Sequence, residues 1–224
     1  MRKIRVLLAD DHTVVRQGLR ALLAAEEDFE IVGEAENGRQ AIQLVKKLLP
    51  DVAVIDIAMP VLNGLEATRQ ITRSVPATKV LILSSYSDDE YVQQLTEAGA
   101  AGYLVKQTAA NELIKAIREA QRGNAYFSPA IAKRLRDQCR EAFVTGQPGQ
   151  KRSDYLTTRE AEVLQLIAEG RANKQIAAEL CISIKTVEKH RQQVMNKLNI
   201  HDIAGLTRYA LSKGLVPAKA TVAA

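Results

Sequence analysis

The stretch Val52-Ala53-Val54-Ile55-Asp56 decides the fold. Four apolar residues run directly into a carboxylate, and Met59-Pro60 and Asn63-Gly64 then turn the chain. A short apolar run bounded by turn residues predicts a strand buried on both faces, as in a parallel sheet. Asp56 then stands at the carboxyl end of a central strand, the edge at which open α/β sheets place their sites.

The flanking sequence repeats the theme. Before it come an apolar run at 4–9 and an amphipathic stretch at 14–25, with Val15, Leu19, Leu22 and Leu23 at helical spacing. A run at 30–35 and a helical stretch at 38–49 follow, the latter stopped by Pro50. After it come a helix at 65–74, a strand at 79–84, a helix at 88–98 ended by Gly99, a strand at 101–105 and a helix at 108–121 ended by Gly123. Strict β-α alternation predicts a parallel sheet with helices on both faces. Five strands in the first 122 residues fit the flavodoxin-like order, a (βα)5 domain.

Parallel strands share their carboxyl ends, so the residues that end them converge. Strand one ends in Asp10-Asp11, strand three in Asp56, strand four in Ser84-Ser85 and strand five in Lys106. Crowded carboxylates repel unless a cation intervenes. A hard dication such as Mg²⁺ takes oxygen ligands and binds through one or two carboxylates plus a phosphate. Lys106 adds a second positive charge and Ser84 a hydroxyl donor, and a carboxylate so placed can attack phosphorus. Asp56 is therefore a candidate phosphoryl acceptor.

Charge separates the two halves of the 224-residue chain. Residues 1–122 carry 15 Lys and Arg against 17 Asp and Glu, whereas residues 123–224 carry 16 against 9. A small basic domain is suited to a polyanion. Cys139 and Cys181 form no pair motif, and His12, His190 and His201 have no spacing suited to a shared metal. No apolar run approaches the roughly 18 residues that span a bilayer, and the apolar start after Arg2-Lys3 is too short for a signal peptide. A cytoplasmic protein is expected.

Ser128-Pro129 reads as a helix start, with a short helix at 130–141. The run Thr145-Gly146-Gln147-Pro148-Gly149-Gln150 then reads as a flexible tether, so that 123–153 forms a linker. Thr157 with Glu160 three residues on is a capping box, and opens a helix that reaches Ala168 with Val163, Leu164 and Ile167 inward. Asn173 starts a short helix through Leu180. Cys181-Ile182-Ser183 forms a tight turn, Ser183 caps a third helix at 184–198, and a fourth spans 201–213. Two helices about three residues apart make a helix-turn-helix. The second carries Val187, Val194 and Leu198 on one side and Lys185, Glu188, Lys189, Arg191, Gln192 and Gln193 on the other, residue types that suit base edges and phosphates. Residues 217–224 read as a disordered tail.

The motifs Asp10-Asp11, Asp56 followed by Met59-Pro60, Ser84 and Lys106 make residues 1–122 resemble the receiver domain of bacterial response regulators. The resemblance implies that Asp56 is phosphorylated, that Asp10, Asp11, Asp56 and the Ala58 backbone carbonyl hold Mg²⁺, and that Ser84 and Lys106 engage the phosphoryl group. It also implies that Tyr103 changes rotamer with activation, and that Ala58 and Tyr86 tune phosphoryl lifetime. Residues 154–216 resemble the four-helix LuxR-type DNA-binding domain in Leu156-Thr157, Arg159-Glu160, Val163-Leu164, Gly170, Asn173-Lys174, Ile176-Ala177, Ser183, Lys185-Thr186-Val187, His190-Arg191 and Lys197-Leu198. That implies phosphate contacts from Lys174, Lys185, Thr186 and Arg191, base contacts from Glu188, Lys189 and Gln192, and dimerisation through the fourth helix.

The whole chain resembles a NarL/FixJ-type two-component response regulator. The expected function is regulation of transcription, with phosphorylation by a sensor histidine kinase controlling homodimerisation and binding to a two-fold related promoter site. No catalysis beyond self-phosphotransfer and self-dephosphorylation is expected, and no membrane partner. Two rivals differ in class. A phosphohydrolase similar to the haloacid dehalogenases would need an Asp two residues after the nucleophile, where Ala58 stands. A constitutive DNA-binding protein would use the first domain only to dimerise.

Overall fold

The computed structural model describes residues 2–84, 94–107, 109–129, 131–133, 136 and 156–216. Six parallel strands form one sheet: β1 (Ile4–Ala9), β2 (Phe29–Ala35), β3 (Val52–Asp56), β4 (Lys79–Ser84), β5 (Gly102–Val105) and β6 (Tyr126–Phe127), in the order β2-β1-β3-β4-β5-β6. Helices α1 (Thr13–Ala24), α2 (Gly38–Leu48), α3 (Gly64–Ser74) and α4 (Ala109–Gln121) connect them. The expected alternation and flavodoxin-like order are therefore present, extended by one strand. Two-residue β6 pairs with β5 through Gly102 and Tyr103. The sequence reading missed it because Tyr126-Phe127 has no apolar run around it.

β3 is buried at every residue. Ala53 and Ile55 pack on the side that holds Ala41, Ile42 and Val45 of α2 and Leu65, Ala67 and Ile71 of α3. Val52 and Val54 pack on the other side, with Leu23 of α1 and Leu113, Ala116 and Ile117 of α4. Period-two alternation thus feeds two cores, so both sets of side chains are apolar.

The expected turn at Asn63-Gly64 is a helix entry. The Asn63 side chain accepts from the Glu66 amide and caps α3. A Cβ on Gly64 would lie 2.0 Å from the Asp56 carbonyl oxygen, so only glycine lets α3 start this close to the end of β3.

The second domain is helical: α5 (Thr158–Ala168), α6 (Asn173–Leu180), α7 (Ile184–Leu198) and α8 (Ile203–Ser212), around a core of Val163, Leu164, Ile167, Ile176, Val187, Val194 and Leu206. The Thr157–Glu160 capping box and the Ser183 cap form as expected. α8 is shorter than the expected 201–213, because Asp202 accepts from the Gly205 amide and sets the start. Of the helix expected at 88–98, only 94–97 are described as helical. Ser85, Tyr86, the tether at 145–153 and the tail at 217–224 lie outside the described residues.

Candidate functional site

Asp10, Asp56 and Ser84 meet at the carboxyl edge of the sheet, all nearly fully buried. Lys106 follows β5, and its amide donates to the Ser84 carbonyl at 2.8 Å. Its ammonium lies 2.7 Å from Asp10 Oδ2 and 3.0 Å from Asp56 Oδ2, bridging the two carboxylates. Burial is the main influence on Asp56 and raises its pKa to about 6; Lys106 opposes this, while Asp10 and Asp11 add to it. A carboxylate raised by burial and facing a specific charge partner is a candidate functional group.

Carboxylate oxygens of Asp10, Asp11 and Asp56 and a ring nitrogen of His12 lie within 4.8 Å of one another. Three hard oxygen donors at this spacing fit Mg²⁺. Ala58 is half-buried two residues beyond Asp56, on the loop that leads into α3. His12 was not among the sequence candidates. Its Nδ1 lies 2.8 Å from Asp11 Oδ1, and its amide donates to Asp10 Oδ1 at 2.8 Å. Arg16 was also missed. It sits on the apolar side of α1, only 6% exposed, donates to the Asp10 carbonyl at 2.6 Å and reaches Glu36 at 2.8 Å. Tyr103 is buried in the same core cluster as Leu95, Ala98 and Ile131.

On the helical domain, Lys174, Lys185, Glu188, Lys189 and Gln192 are exposed, whereas Thr186 and Arg191 are half-buried. Arg191 donates to Asn173 Oδ1 at 2.6 Å and ties α7 to the start of α6. Thr186 pairs with the Ser183 hydroxyl at 2.8 Å. Glu188, Lys189 and Gln192 project from α7 away from the core, while Val187 and Val194 are fully buried.

The two domains touch through side chains that the sequence reading passed over. Gln165 of α5 is fully buried. Its Nε2 donates to the Met59 carbonyl at 2.9 Å, and its Oε1 accepts from the Asn63 amide at 2.8 Å and from Asn63 Nδ2 at 3.0 Å. Glu169 Oε1 accepts from the Val61 amide at 2.8 Å, and Gln70 of α3 donates to Glu162 Oε1 at 3.2 Å. Glu162, Gln165 and Glu169 recur at helical spacing opposite the apolar side of α5, a pattern that in sequence reads as a solvated face.

A model described as the response regulator receiver domain matches residues 6–118, and one described as bacterial regulatory proteins of the luxR family matches 154–210. The chain belongs to the LuxR-family two-component response regulators. It is 41% identical over 213 residues to the transcriptional regulatory protein LiaR of Bacillus subtilis, covering 95% of this chain and 99% of that one. It is 41% identical over 219 residues to the oxygen regulatory protein NreC of Staphylococcus carnosus, with the same coverage. Among solved structures, the RcsB response regulator of Salmonella typhimurium matches with TM-score 0.64 and 27% identity, over 97% of this chain and all of that one. An RcsB–DNA complex matches with TM-score 0.57 and 27% identity, over 94% of this chain and 99% of that one. This response regulator thus pairs a receiver with a LuxR-type DNA-binding domain, and its relatives are transcriptional regulators. Among the described residues, no helix is long and apolar enough to cross a membrane.

Proposed function

We propose that this response regulator is switched by phosphorylation of Asp56, and that the switch controls dimerisation and promoter binding. The single observation that carries the reading is Asp56 itself: a buried carboxylate at a strand end, raised in pKa, with Lys106 3.0 Å away and Asp10 and Asp11 beside it. The donor is the phosphohistidine of a sensor kinase. An Asp56 carboxylate oxygen attacks phosphorus, the P–N bond breaks, and the imidazole leaves with the bonding pair. Asp10, Asp11, Asp56 and the Ala58 carbonyl would hold Mg²⁺, which when bound neutralises charge developing on the phosphoryl oxygens. Lys106 pairs with one of those oxygens and the Ser84 hydroxyl donates to another. Tyr103 repacks as Ser84 moves.

Residues 1–122 form the switching unit, 123–153 the linker, 154–216 the DNA-binding domain and 217–224 a tail. Exposed Glu188, Lys189 and Gln192 read base edges, and Lys174, Lys185, Thr186 and Arg191 hold phosphates. The dimer, paired through α8, meets a two-fold related promoter site. The setting is cytoplasmic, and chemistry is confined to self-phosphotransfer and self-dephosphorylation. Intact mass after incubation with Mg²⁺ and a small phosphodonor tests the reading. One added phosphoryl group on wild type and none on Asp56→Asn is expected. No addition to folded wild type would overturn it, and undiminished DNA binding by Asp56→Asn under phosphorylating conditions would favour constitutive binding.

A further inference from the structure

His12 stands between the acidic pair and α1, and its side chain does not serve the helix it precedes. A helix is best opened by Ser, Thr, Asp or Asn, whose side chain accepts from an amide of the first turn. Asn37, Asn63, Thr157, Ser183 and Asp202 do this for α2, α3, α5, α7 and α8. His12 holds the same place before α1, with extended backbone, and makes no such bond. Its imidazole turns to the sheet edge instead. Nδ1 lies 2.8 Å from Asp11 Oδ1 and 3.3 Å from Asp10 Oδ1.

Two features of these contacts point to a shared third partner. Asp11 Oδ1 is buried and takes no hydrogen bond, although the ring nitrogen is 2.8 Å away. The Asp10 contact is longer than the roughly 2.7–2.9 Å of a charge-assisted hydrogen bond. Neighbouring ligands on an octahedral ion with bonds of about 2.1 Å stand about 3 Å apart, close to the spacing these atoms keep. One ring nitrogen of His12 and one oxygen from each of Asp10, Asp11 and Asp56 fall within 4.8 Å of one another. The cluster is divided. Lys106 meets Oδ2 of Asp10 and of Asp56, while the imidazole faces Oδ1 of Asp10 and of Asp11. The His12 side chain is 53% exposed, so an ion from solvent can reach it.

We propose that His12 is a metal ligand of the acceptor site, and that its nitrogen shifts the preference of the site from Mg²⁺ toward a first-row transition dication. This rests on the reading of Asp10, Asp11 and Asp56 as the dication site, whose oxygens fit Mg²⁺ by themselves. Mg²⁺ keeps to carboxylate, phosphate and water oxygens. Imidazole suits transition dications, and affinity for a mixed nitrogen and oxygen set rises from Mn²⁺ through Fe²⁺ and Co²⁺. His12 therefore adds affinity for such an ion and little for Mg²⁺.

The test uses the full chain and the metal alone, without a phosphodonor. Calorimetry gives the affinities for Co²⁺ and Mg²⁺, and the electron spin echo of bound Mn²⁺ shows whether an imidazole nitrogen is coordinated. Wild type is expected to show that nitrogen coupling. His12→Asn supplies the missing cap and so keeps the helix start. It should lose the coupling and weaken Co²⁺ binding on the order of 10-fold, the smaller end of what even an indirect partner of a metal contributes, with a much smaller change for Mg²⁺. His12→Ala should do the same without offering an oxygen. Asp11→Asn should weaken both ions. Coupling and Co²⁺ affinity unchanged in both His12 variants, with both ions weakened by Asp11→Asn, would overturn the ligand role and leave the dication site standing. A gain of affinity for both ions in the His12 variants would make the imidazole an ion-pair partner that the metal has to displace, and would overturn the ligand role equally. Ions bound as tightly by Asp11→Asn and Asp56→Asn as by wild type would place the metal elsewhere, overturning the dication site and the role of His12 with it. Phosphoryl uptake at Asp56 is read separately, by intact mass.

Discussion

Lys106 Nζ stands 2.7 Å from Asp10 Oδ2 and 3.0 Å from Asp56 Oδ2, so one ammonium holds together two buried carboxylates carried by different strands. Asp10 and Asp56 are both almost wholly inaccessible, and the Lys106 side chain is only 18% exposed. Removing one partner of a buried charge cluster is far costlier than the cluster is stabilising. Lys106→Met is therefore expected to lower receiver stability in chelator by about 3 kcal/mol, the lower end for a broken buried pair. Mg²⁺ should restore more stability to the variant than it adds to wild type, because it replaces the missing charge. Urea midpoints with and without Mg²⁺ measure both; an equal Mg²⁺ increment in the two proteins would contradict the shared role.

Two carboxyls at the interface between the domains, Glu66 and Glu169, are pushed up by burial. Burial raises the pKa of Glu66, with Glu162 across the interface adding to it, while Gln70, Thr158 and Arg69 oppose. Burial likewise raises Glu169, against its bonds to Gln165 and the Val61 amide and the charge of Arg171. A carboxyl whose pKa is higher docked than undocked favours docking in its protonated form. Docking is then strongest below the ordinary carboxylate range, weakens as pH rises through the raised docked values, and is level above them. The radius of gyration by small-angle scattering should grow as pH rises from the ordinary carboxylate range toward neutrality. Glu66→Gln should flatten that change and keep the compact form at the higher pH. A radius independent of pH in wild type would show that these carboxyls do not govern docking.

Much of this was legible in sequence, for a physical reason. Val52–Asp56 could be placed because a strand buried on both faces has to be apolar throughout, and its terminal carboxylate had to fall at the sheet edge with Asp10, Ser84 and Lys106. The Thr157–Glu160 box was legible because capping is local. Arg16 and Gln165 were not. Each is a polar residue buried by partners outside its own helix, Asp10 and Glu36 for one, Met59 and Asn63 for the other. Periodicity records which side of a helix is polar, and not whether water or another domain satisfies it. β6 escaped because two residues carry no period.

Glu160 does two jobs in the DNA-binding domain. Its Oε2 accepts from the Thr157 amide at 2.7 Å, closing the capping box of α5, and from Lys197 Nζ at 2.7 Å, tying in the end of α7. Burial pushes its pKa up, but Lys197 and Thr157 outweigh burial and hold it below the usual carboxylate range. The stability it contributes is present above its unfolded pKa and is lost as pH falls through the depressed folded value. Lys197→Ala is expected to cost about 1 kcal/mol, since the lysine is one-third exposed and water screens the pair. Glu160→Ala should cost about 2 kcal/mol or more, because cap and pair go together. Equal losses from the two variants in thermal unfolding would mean that the cap adds nothing to the pair.

The proposed DNA contacts separate positioning from reading. Lys174 lies on α6 and Lys189 on the exposed side of α7, between Glu188 and Gln192 along the helix. A phosphate contact weakens binding alike on all sequences and lowers the salt dependence by about one counterion. A base contact is worth about 1–3 kcal/mol of discrimination at its own position. Lys174→Ala should therefore lower affinity for operator and random duplex by the same factor and flatten the slope of affinity against salt. Lys189→Ala should lose affinity for the operator and little for random DNA. Titrations at several salt concentrations distinguish the two. Uniform, sequence-independent losses from both variants would mean that α7 presents a different face to the groove, with Lys185 and Gln192 the next residues to test.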